Sequence, residues 1–179
     1  MTQIGSVYGE AIYQLAREEH ISEQLLQQLR ALEEAFSGEP DFVKLLSSPN
    51  LTKEERLEIV ERSFRGKIHD YLLNFMKILT EKGYMRFFGD CVSCFTELYN
   101  RDNGILSVTA VTAVPLADAQ KQKLTEKLAS ITGKRIQLCN RGNPAGLGGI
   151  RLAYDGKRVD DTVAHRLDSI RALLNNTVL

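Results

Sequence analysis

Asn143-Pro144-Ala145-Gly146-Leu147-Gly148-Gly149-Ile150-Arg151-Leu152, then a turn at Asp155-Gly156 and the run Val159-Asp160-Asp161-Thr162, is the stretch whose reading decides the fold. A glycine cluster raises the question of nucleotide binding, and spacing answers it. A dinucleotide fingerprint built on Gly146 and Gly148 needs a glycine where Arg151 stands. A phosphate loop needs Ser or Thr after Gly156-Lys157, where Arg158 stands. Asp-Gly between short apolar runs is instead a hairpin signal, since both central residues of the turn need positive φ. Ile150, Leu152 and Tyr154 alternate with Arg151, Ala153 and Asp155, the period of a half-buried strand. Gly148-Gly149 then serves close backbone packing at the strand entrance.

Working outward from the hairpin, the residues before it predict a strand from Ile105 to Val114, ended by Pro115. A helix follows, with Asp118 as its cap and Leu124, Leu128 and Ile131 on its buried face, stopped by Gly133. Ile136 and Leu138 fit a second strand. After the hairpin, Val163, Leu167, Ile170 and Leu174 form one stripe of a last helix, with Asp160-Asp161 before it. Carboxylates there suit the helix dipole and the unpaired N–H groups, so capping is expected rather than a metal or general-acid role.

The first hundred residues are helical in pattern. Ile4, Tyr8, Ala11, Ile12 and Leu15 make one stripe, and Leu25, Leu29, Leu32 and Phe36 another. Gly38 and Pro40 precede a short segment with Phe42, Leu45 and Leu46, and Ser48-Pro49-Asn50 breaks the chain again. Thr52 and Glu55 form a capping box for a helix carrying Leu57, Val60 and Phe64. Ile68, Leu72, Phe75 and Leu79 mark a fifth helix ending near Gly83, and Met85, Phe88, Val92, Phe95 and Tyr99 a sixth. The expected fold class is α+β: a six-helix bundle over residues 1–103, then a small β-α-β-β-α module over 104–179. No internal repeat or low-complexity tract interrupts it.

Composition narrows function. The 179 residues carry 23 Lys and Arg against 23 Asp and Glu, so no global field attracts nucleic acid or anionic lipid. No basic region leads into an apolar core at the start, and the uncharged run Gly104–Ala117 is too short to span a bilayer, so a soluble chain is expected. Three cysteines suit a reduced compartment rather than a disulfide framework. Cys91 and Cys94 have redox-motif spacing but lie within a helical pattern, and His20, His69 and His165 are too scattered to complete a zinc site. Small buried hydrophobes are the expected identity of both cysteines; a small cytosolic redox or metal protein using Cys91 and Cys94 is the alternative. No serine sits in a nucleophile elbow, and most carboxylates fall on charged helix faces. What remains is a chain of amphipathic surfaces, which points to protein binding.

Three motifs carry a family resemblance. They are Tyr8-Gly9-Glu10-Ala11-Ile12-Tyr13-Gln14-Leu15-Ala16, the run Asn103-Gly104-Ile105 leading to Thr112-Ala113-Val114-Pro115-Leu116, and Asn143-Pro144 with Leu147-Gly148-Gly149, Gly156, Val159-Asp160, Thr162 and Arg166-Leu167. Over essentially its whole length the chain resembles the delta subunit of bacterial F-type ATP synthase, related to the mitochondrial oligomycin-sensitivity-conferring protein. Gly9, Asn143, Gly146 and Asp161 depart from the family's common residues. The resemblance implies a non-catalytic stator subunit without cofactor or metal, peripheral on the cytoplasmic face of the bacterial membrane and attached only through partners. The helical domain would receive the N-terminal helix of an alpha subunit in a groove lined by Tyr8, Ala11, Ile12, Leu15, Phe75, Ile78 and Leu79. The second module would hold the C-terminal ends of the b subunits, with Val163, Leu167, Ile170 and Leu174 either module core or b-binding surface.

Overall fold

The computed structural model describes residues 2–48, 51–143, 148–154, 156–162 and 165. The chain divides into two compact units, Met1–Tyr99 and Asn100–Leu179.

In the first unit the helices are α1 (Gln3–Glu18), α2 (Ser22–Gly38), α3 (Pro40–Leu46), α4 (Lys53–Phe64) and α5 (Asp70–Glu81). A 3-10 turn, Met85–Phe87, leads into α6 (Phe88–Asp102). Local chemistry sets the boundaries. Thr52 accepts from the Glu55 N–H while the Glu55 carboxylate accepts from the Thr52 N–H, so α4 opens on the expected capping box. Pro40 occupies the first turn of α3, where a missing N–H costs nothing. Lys82 closes α5, and Gly83 beyond it takes φ +71°, the left-handed cap that only glycine adopts cheaply.

Inside, fully buried Leu25, Leu29, Leu46, Val60, Leu72, Met76, Leu79 and Phe95 form one apolar cluster. Tyr13 meets Phe95 edge-on at 5.2 Å, and Phe36 meets Phe88 at 5.1 Å, arrangements that ring quadrupoles favour. α1 and α6 approach closely at two glycines. A Cβ at Gly9 would sit 2.7 Å from the Cys91 carbonyl oxygen and 2.7 Å from Cys94 Cβ; one at Gly5 would sit 2.3 Å from Asp90 Cβ. Glycine stands at both positions where the two helices touch. Asp90 secures the same contact by accepting from the Thr2 N–H at 2.9 Å and from its hydroxyl at 2.6 Å. Those Thr2 bonds, the hydroxyl's first, hold the Asp90 carboxyl below its ordinary pKa.

The second unit holds β1 (Ile105–Thr112), α7 (Asp118–Thr132), β2 (Arg135–Gly142), β3 (Gly149–Tyr154) and β4 (Lys157–Thr162), with strand order β2-β1-β3-β4. β1 pairs parallel with β2 and antiparallel with β3, and β3 pairs antiparallel with β4. The central strand β1 buries Leu106, Val108 and Ala110.

The chain is thus α+β, but the expected six-helix bundle with a β-α-β-β-α module is corrected. The described residues form seven helices and a four-stranded mixed sheet. The extra strand is Lys157-Arg158-Val159-Asp160-Asp161-Thr162, too polar to announce itself by apolar alternation. Pairing makes it a strand: Tyr154 lies opposite Lys157 across a two-residue connection, and Gly156 has φ +70°. Asp155 and the expected final helix, with Val163, Leu167, Ile170 and Leu174, lie outside the described residues. Three smaller expectations also change. Asp118 is the first residue of α7, not its cap, and Ala117 holds that place with its N–H donated to the Gln120 side chain. Ile131 is 72% exposed rather than buried, while Leu124 and Leu128 are half-buried. Asp160 belongs to β4, and the Thr162 hydroxyl oxygen accepts from the His165 N–H at 3.3 Å.

The glycine contact gives a test. Gly→Ala inside an exposed helix stabilises by about 1 kcal/mol, whereas overpacking a filled contact costs about 1–3 kcal/mol. Gly9→Ala meets backbone that cannot yield, so urea denaturation should show a net loss of stability. Gly89→Ala meets only the flexible end of Glu33 at 3.4 Å and should be neutral or stabilising. A stabilised Gly9→Ala protein would contradict the packing.

Candidate partner-binding surfaces

Viewed down α1, the buried arc of Gly5, Gly9, Ile12, Tyr13 and Ala16 is flanked on one side by Tyr8, Leu15, Ile4, Ala11 and Val7. The 100° step per residue sets that order, and the strip stays apolar after it leaves the core. On α5 the corresponding flank carries Phe75, Tyr71 and Ile78. Two contacts align the helices. Tyr8 meets Tyr84, just past α5, with ring centroids 5.9 Å apart. At the other end Tyr71, the second residue of α5, hydrogen-bonds the Glu19 side chain that follows α1; the nearby Glu19 charge raises the tyrosine pKa. The start of α1 therefore lies by the end of α5 and its end by the start of α5. They run antiparallel.

The structure divides the residues assigned to the groove. Ile12, Phe75 and Leu79 are buried core, Tyr8 and Leu15 are half-buried, and Ala11 and Ile78 are exposed, Ile78 by 45%. Val7, 59% exposed, belongs to the same strip, and the sequence reading omitted it. Its signal was present: Val7, Ala11 and Leu15 recur every four residues, a second row beside Ile4, Tyr8 and Ile12. Tyr71 and Tyr84 had no such signal, because their place depends on tertiary contacts.

Cys91 and Cys94 are both buried, and burial pushes the Cys91 thiol up to about 12. A thiol held neutral at physiological pH is a poor nucleophile and a poor metal ligand. Cys94 Sγ contacts the Ser6 carbonyl oxygen at 3.5 Å. Both side chains are small and stand where the glycines of α1 press in, so packing explains them and nothing supports the redox alternative. Among the described residues no group of three or more His, Cys, Asp or Glu side chains is placed to hold a metal ion.

In the second unit Asn140 organises the turn into α7. Its amide donates to the Ala110 carbonyl and to Thr112 Oγ1, both at 3.0 Å, and its oxygen accepts from the Leu116 N–H at 2.8 Å. Asp160 Oδ1 accepts from the Thr162 hydroxyl at 2.6 Å and its N–H at 3.1 Å, while Oδ2 pairs with Arg151 at 2.8 Å. These contacts, the Thr162 hydroxyl first, lower its carboxyl from the ordinary 3.8 to about 2. Gly149, at φ +90°, lets this corner close: a Cβ there would lie 2.5 Å from the Asp161 carbonyl oxygen. This is the packing role expected of the glycine pair.

The surfaces define a class first: a two-unit protein whose prominent feature is an unpartnered apolar flank, suited to gripping other polypeptides. Comparison specifies it. The family model "ATP synthase delta (OSCP) subunit" matches residues 4–174, so the chain belongs to that family. It is 28% identical over 176 residues to ATP synthase subunit delta of Clostridioides difficile, covering 98% of this chain and 97% of that one. To the subunit delta of Alkaliphilus oremlandii it is 29% identical over 172 residues, covering 96% of each. A chain in the cryo-EM structure of the Toxoplasma gondii mitochondrial ATP synthase hexamer shares the fold, with a TM-score of 0.78 and 19% identity over 97% of this chain and 98% of that chain. The protein is therefore a non-catalytic stator component in the peripheral stalk of F-type ATP synthase, interacting there with other subunits of the complex. It is peripheral to a membrane-associated assembly, and no helix among its described residues is long and apolar enough to cross a bilayer.

Asp160 supplies a pH test. Its folded pKa lies below its unfolded value, so its contribution to stability is complete above about pH 4 and is lost as pH falls toward about 2. The urea midpoint of the native chain should exceed that of Asp160→Asn above this window, and the gap should shrink on acidification through it. The Thr162 amide resonance should titrate with a midpoint near 2; a midpoint near the ordinary 3.8 would contradict the bonding.

Proposed function

We propose that the apolar flank between α1 and α5 receives the N-terminal helix of an ATP synthase alpha subunit. The carrying observation is the exposed row Val7, Ala11 and Ile78 beside half-buried Tyr8 and Leu15, on two antiparallel helices whose inward faces are buried in the core. An amphipathic helix laid along such a flank buries its apolar face, and small Ala11 permits close approach. Ile12, Phe75 and Leu79 support the floor from below rather than touching the partner.

The helical unit, residues 1–103 by its sequence pattern, serves as the grip on the catalytic head. Residues 104–179 serve as the grip on the C-terminal ends of the b subunits, with Val163, Leu167, Ile170 and Leu174 as the residues proposed for that contact. Held at two points, the head is kept from turning with the rotor, on the cytoplasmic face of a bacterial membrane. Two anchors within one assembly raise the effective concentration of each contact. A nanomolar grip corresponds to about 12 kcal/mol. A flank of this size supplies that only when filled by several apolar anchors.

The test is titration calorimetry of the full chain with a synthetic peptide of the alpha N-terminus. Ala11→Asp and Ile78→Asp place charge on exposed positions and leave the core alone. Each should weaken binding by at least about tenfold, equal to about 1.4 kcal/mol, with the far-UV spectrum unchanged. Unaltered affinity in both variants would count against the flank. Recovery of alpha and b subunits with the tagged chain from membranes tests the two-point grip, and absence of either would contradict it.

A further inference from the structure

The helices of the first unit do not all open on the same chemistry. Thr2 caps α1 and Thr52 caps α4, and a hydroxyl oxygen accepts from a helix N–H whatever the pH. α5 opens on His69 instead. The backbone there is extended, with φ −63° and ψ 142°, and the ring Nδ1 accepts from the Tyr71 N–H at 3.3 Å. That bond needs a bare ring nitrogen. An imidazolium carries a proton on both nitrogens and has no acceptor left. It also sets a positive charge at the positive end of the α5 dipole.

The same ring is tied to the end of the α1–α5 flank. It lies beside the Tyr71 ring, with centroids 5.2 Å apart, and Tyr71 in turn hydrogen-bonds Glu19, the residue that closes α1. The His69 main chain is held separately. Its N–H donates to Gln28 Oε1 of α2 at 2.9 Å, and its carbonyl accepts from the Leu72 and Leu73 N–H groups at 2.9 and 3.0 Å. Those bonds do not involve the ring, so a proton on the imidazole acts only on the cap and the first turn. The groups around it are neutral Gln28 on α2, Glu19 at the end of α1, exposed Asp70 and half-buried Tyr71 on α5, and exposed Lys67 in the turn before. Imidazole is the side chain that ordinarily changes charge between about pH 5 and 8.

We propose that His69 is a proton-operated latch on the α1–α5 flank. Neutral, it holds the first turn of α5 and keeps Tyr71 in reach of Glu19. Protonated, it releases the Tyr71 N–H, the turn frays, and the flank loses its alignment at this end. The bond belongs to the neutral ring, so it is present above the imidazole range and lost as pH falls through it. A partner helix lying on the flank is then held more weakly in acid. His69 is a positioning residue here, acting through Tyr71. The weaker grip rests on the flank being the alpha-subunit site; the latch itself is tested with no partner present.

The experiment has two arms, both on the full chain. In the first, the His69 ring and Tyr71 amide resonances are followed from about pH 8 to about pH 5. Both should move with one midpoint, and the exchange protection of the Tyr71 amide should fall at least about threefold across it. In His69→Asn, whose side chain caps without titrating, that protection should hold. A Tyr71 amide that stays still while the ring titrates would overturn the latch, and this readout on the native chain needs no variant to fold. In the second arm, calorimetry gives the Kd of the alpha N-terminal peptide at about pH 7.5 and about pH 5.5. The rise on acidification should be at least about threefold greater in the native chain than in His69→Asn. His20→Asn removes the neighbouring imidazole, and Asn tolerates the φ of +58° found there, so this variant should keep the native rise. An equal rise in the native and His69→Asn chains, or a rise abolished by His20→Asn alone, would overturn the proposal. A peptide that binds at neither pH would overturn the alpha site and the weaker grip with it, whereas the first arm still decides the latch.

Discussion

The approach of α1 to α6 through Gly5 and Gly9 is the constraint on which the helical unit depends. By letting the two backbones meet, these glycines commit one face of α1 wholly to the interior and fix its rotation about its own axis. Rotation then decides exposure. With Gly9 and Ile12 inward, Val7, Ala11, Tyr8 and Leu15 must come out on the flank beside α5. A helix rolled by one residue, 100°, would bury Tyr8 and lose the strip. Thr2 and Asp90 lock the start of the same contact with two hydrogen bonds, so the alignment rests on both packing and polar chemistry.

Function follows from what this alignment leaves uncovered. A subunit that transmits mechanical load without chemistry needs surfaces that bind firmly and a body that does not deform. The aromatic cluster of Phe36, Phe42, Phe64 and Phe88 and the ion pairs of Glu61 with Lys77 and Lys53 with Glu81 knit the helices behind the flank. The ion pairs are solvent-exposed in part and contribute little each; the rings and the buried leucines supply most of the rigidity. The cysteines belong to the same body: small, buried and chemically quiet.

How much of this was legible in the sequence depends on how local the determining interaction was. The capping box of Thr52 and Glu55 and the helical stripes were readable because their signals lie within one or two turns. The family motifs were readable for a different reason, since they carry a whole fold at once. β4 was signalled only by the Asp155-Gly156 turn before it, because Lys157–Thr162 is itself polar and becomes a strand through pairing with β3. Ile131 was misassigned because the helical period continues past the point where α7 stays against the sheet. The groove residues were named as a set, but only tertiary structure separates Ile12 and Leu79, which support, from Ala11 and Ile78, which face out.

Hydrogen exchange on the full chain, with and without the alpha N-terminal peptide, tests the central claim most directly. The account predicts slowed exchange along Gln3–Glu18 and Asp70–Glu81, with β1 to β4 unchanged. Protection centred on the sheet, or none in either helix at saturating peptide, would contradict it.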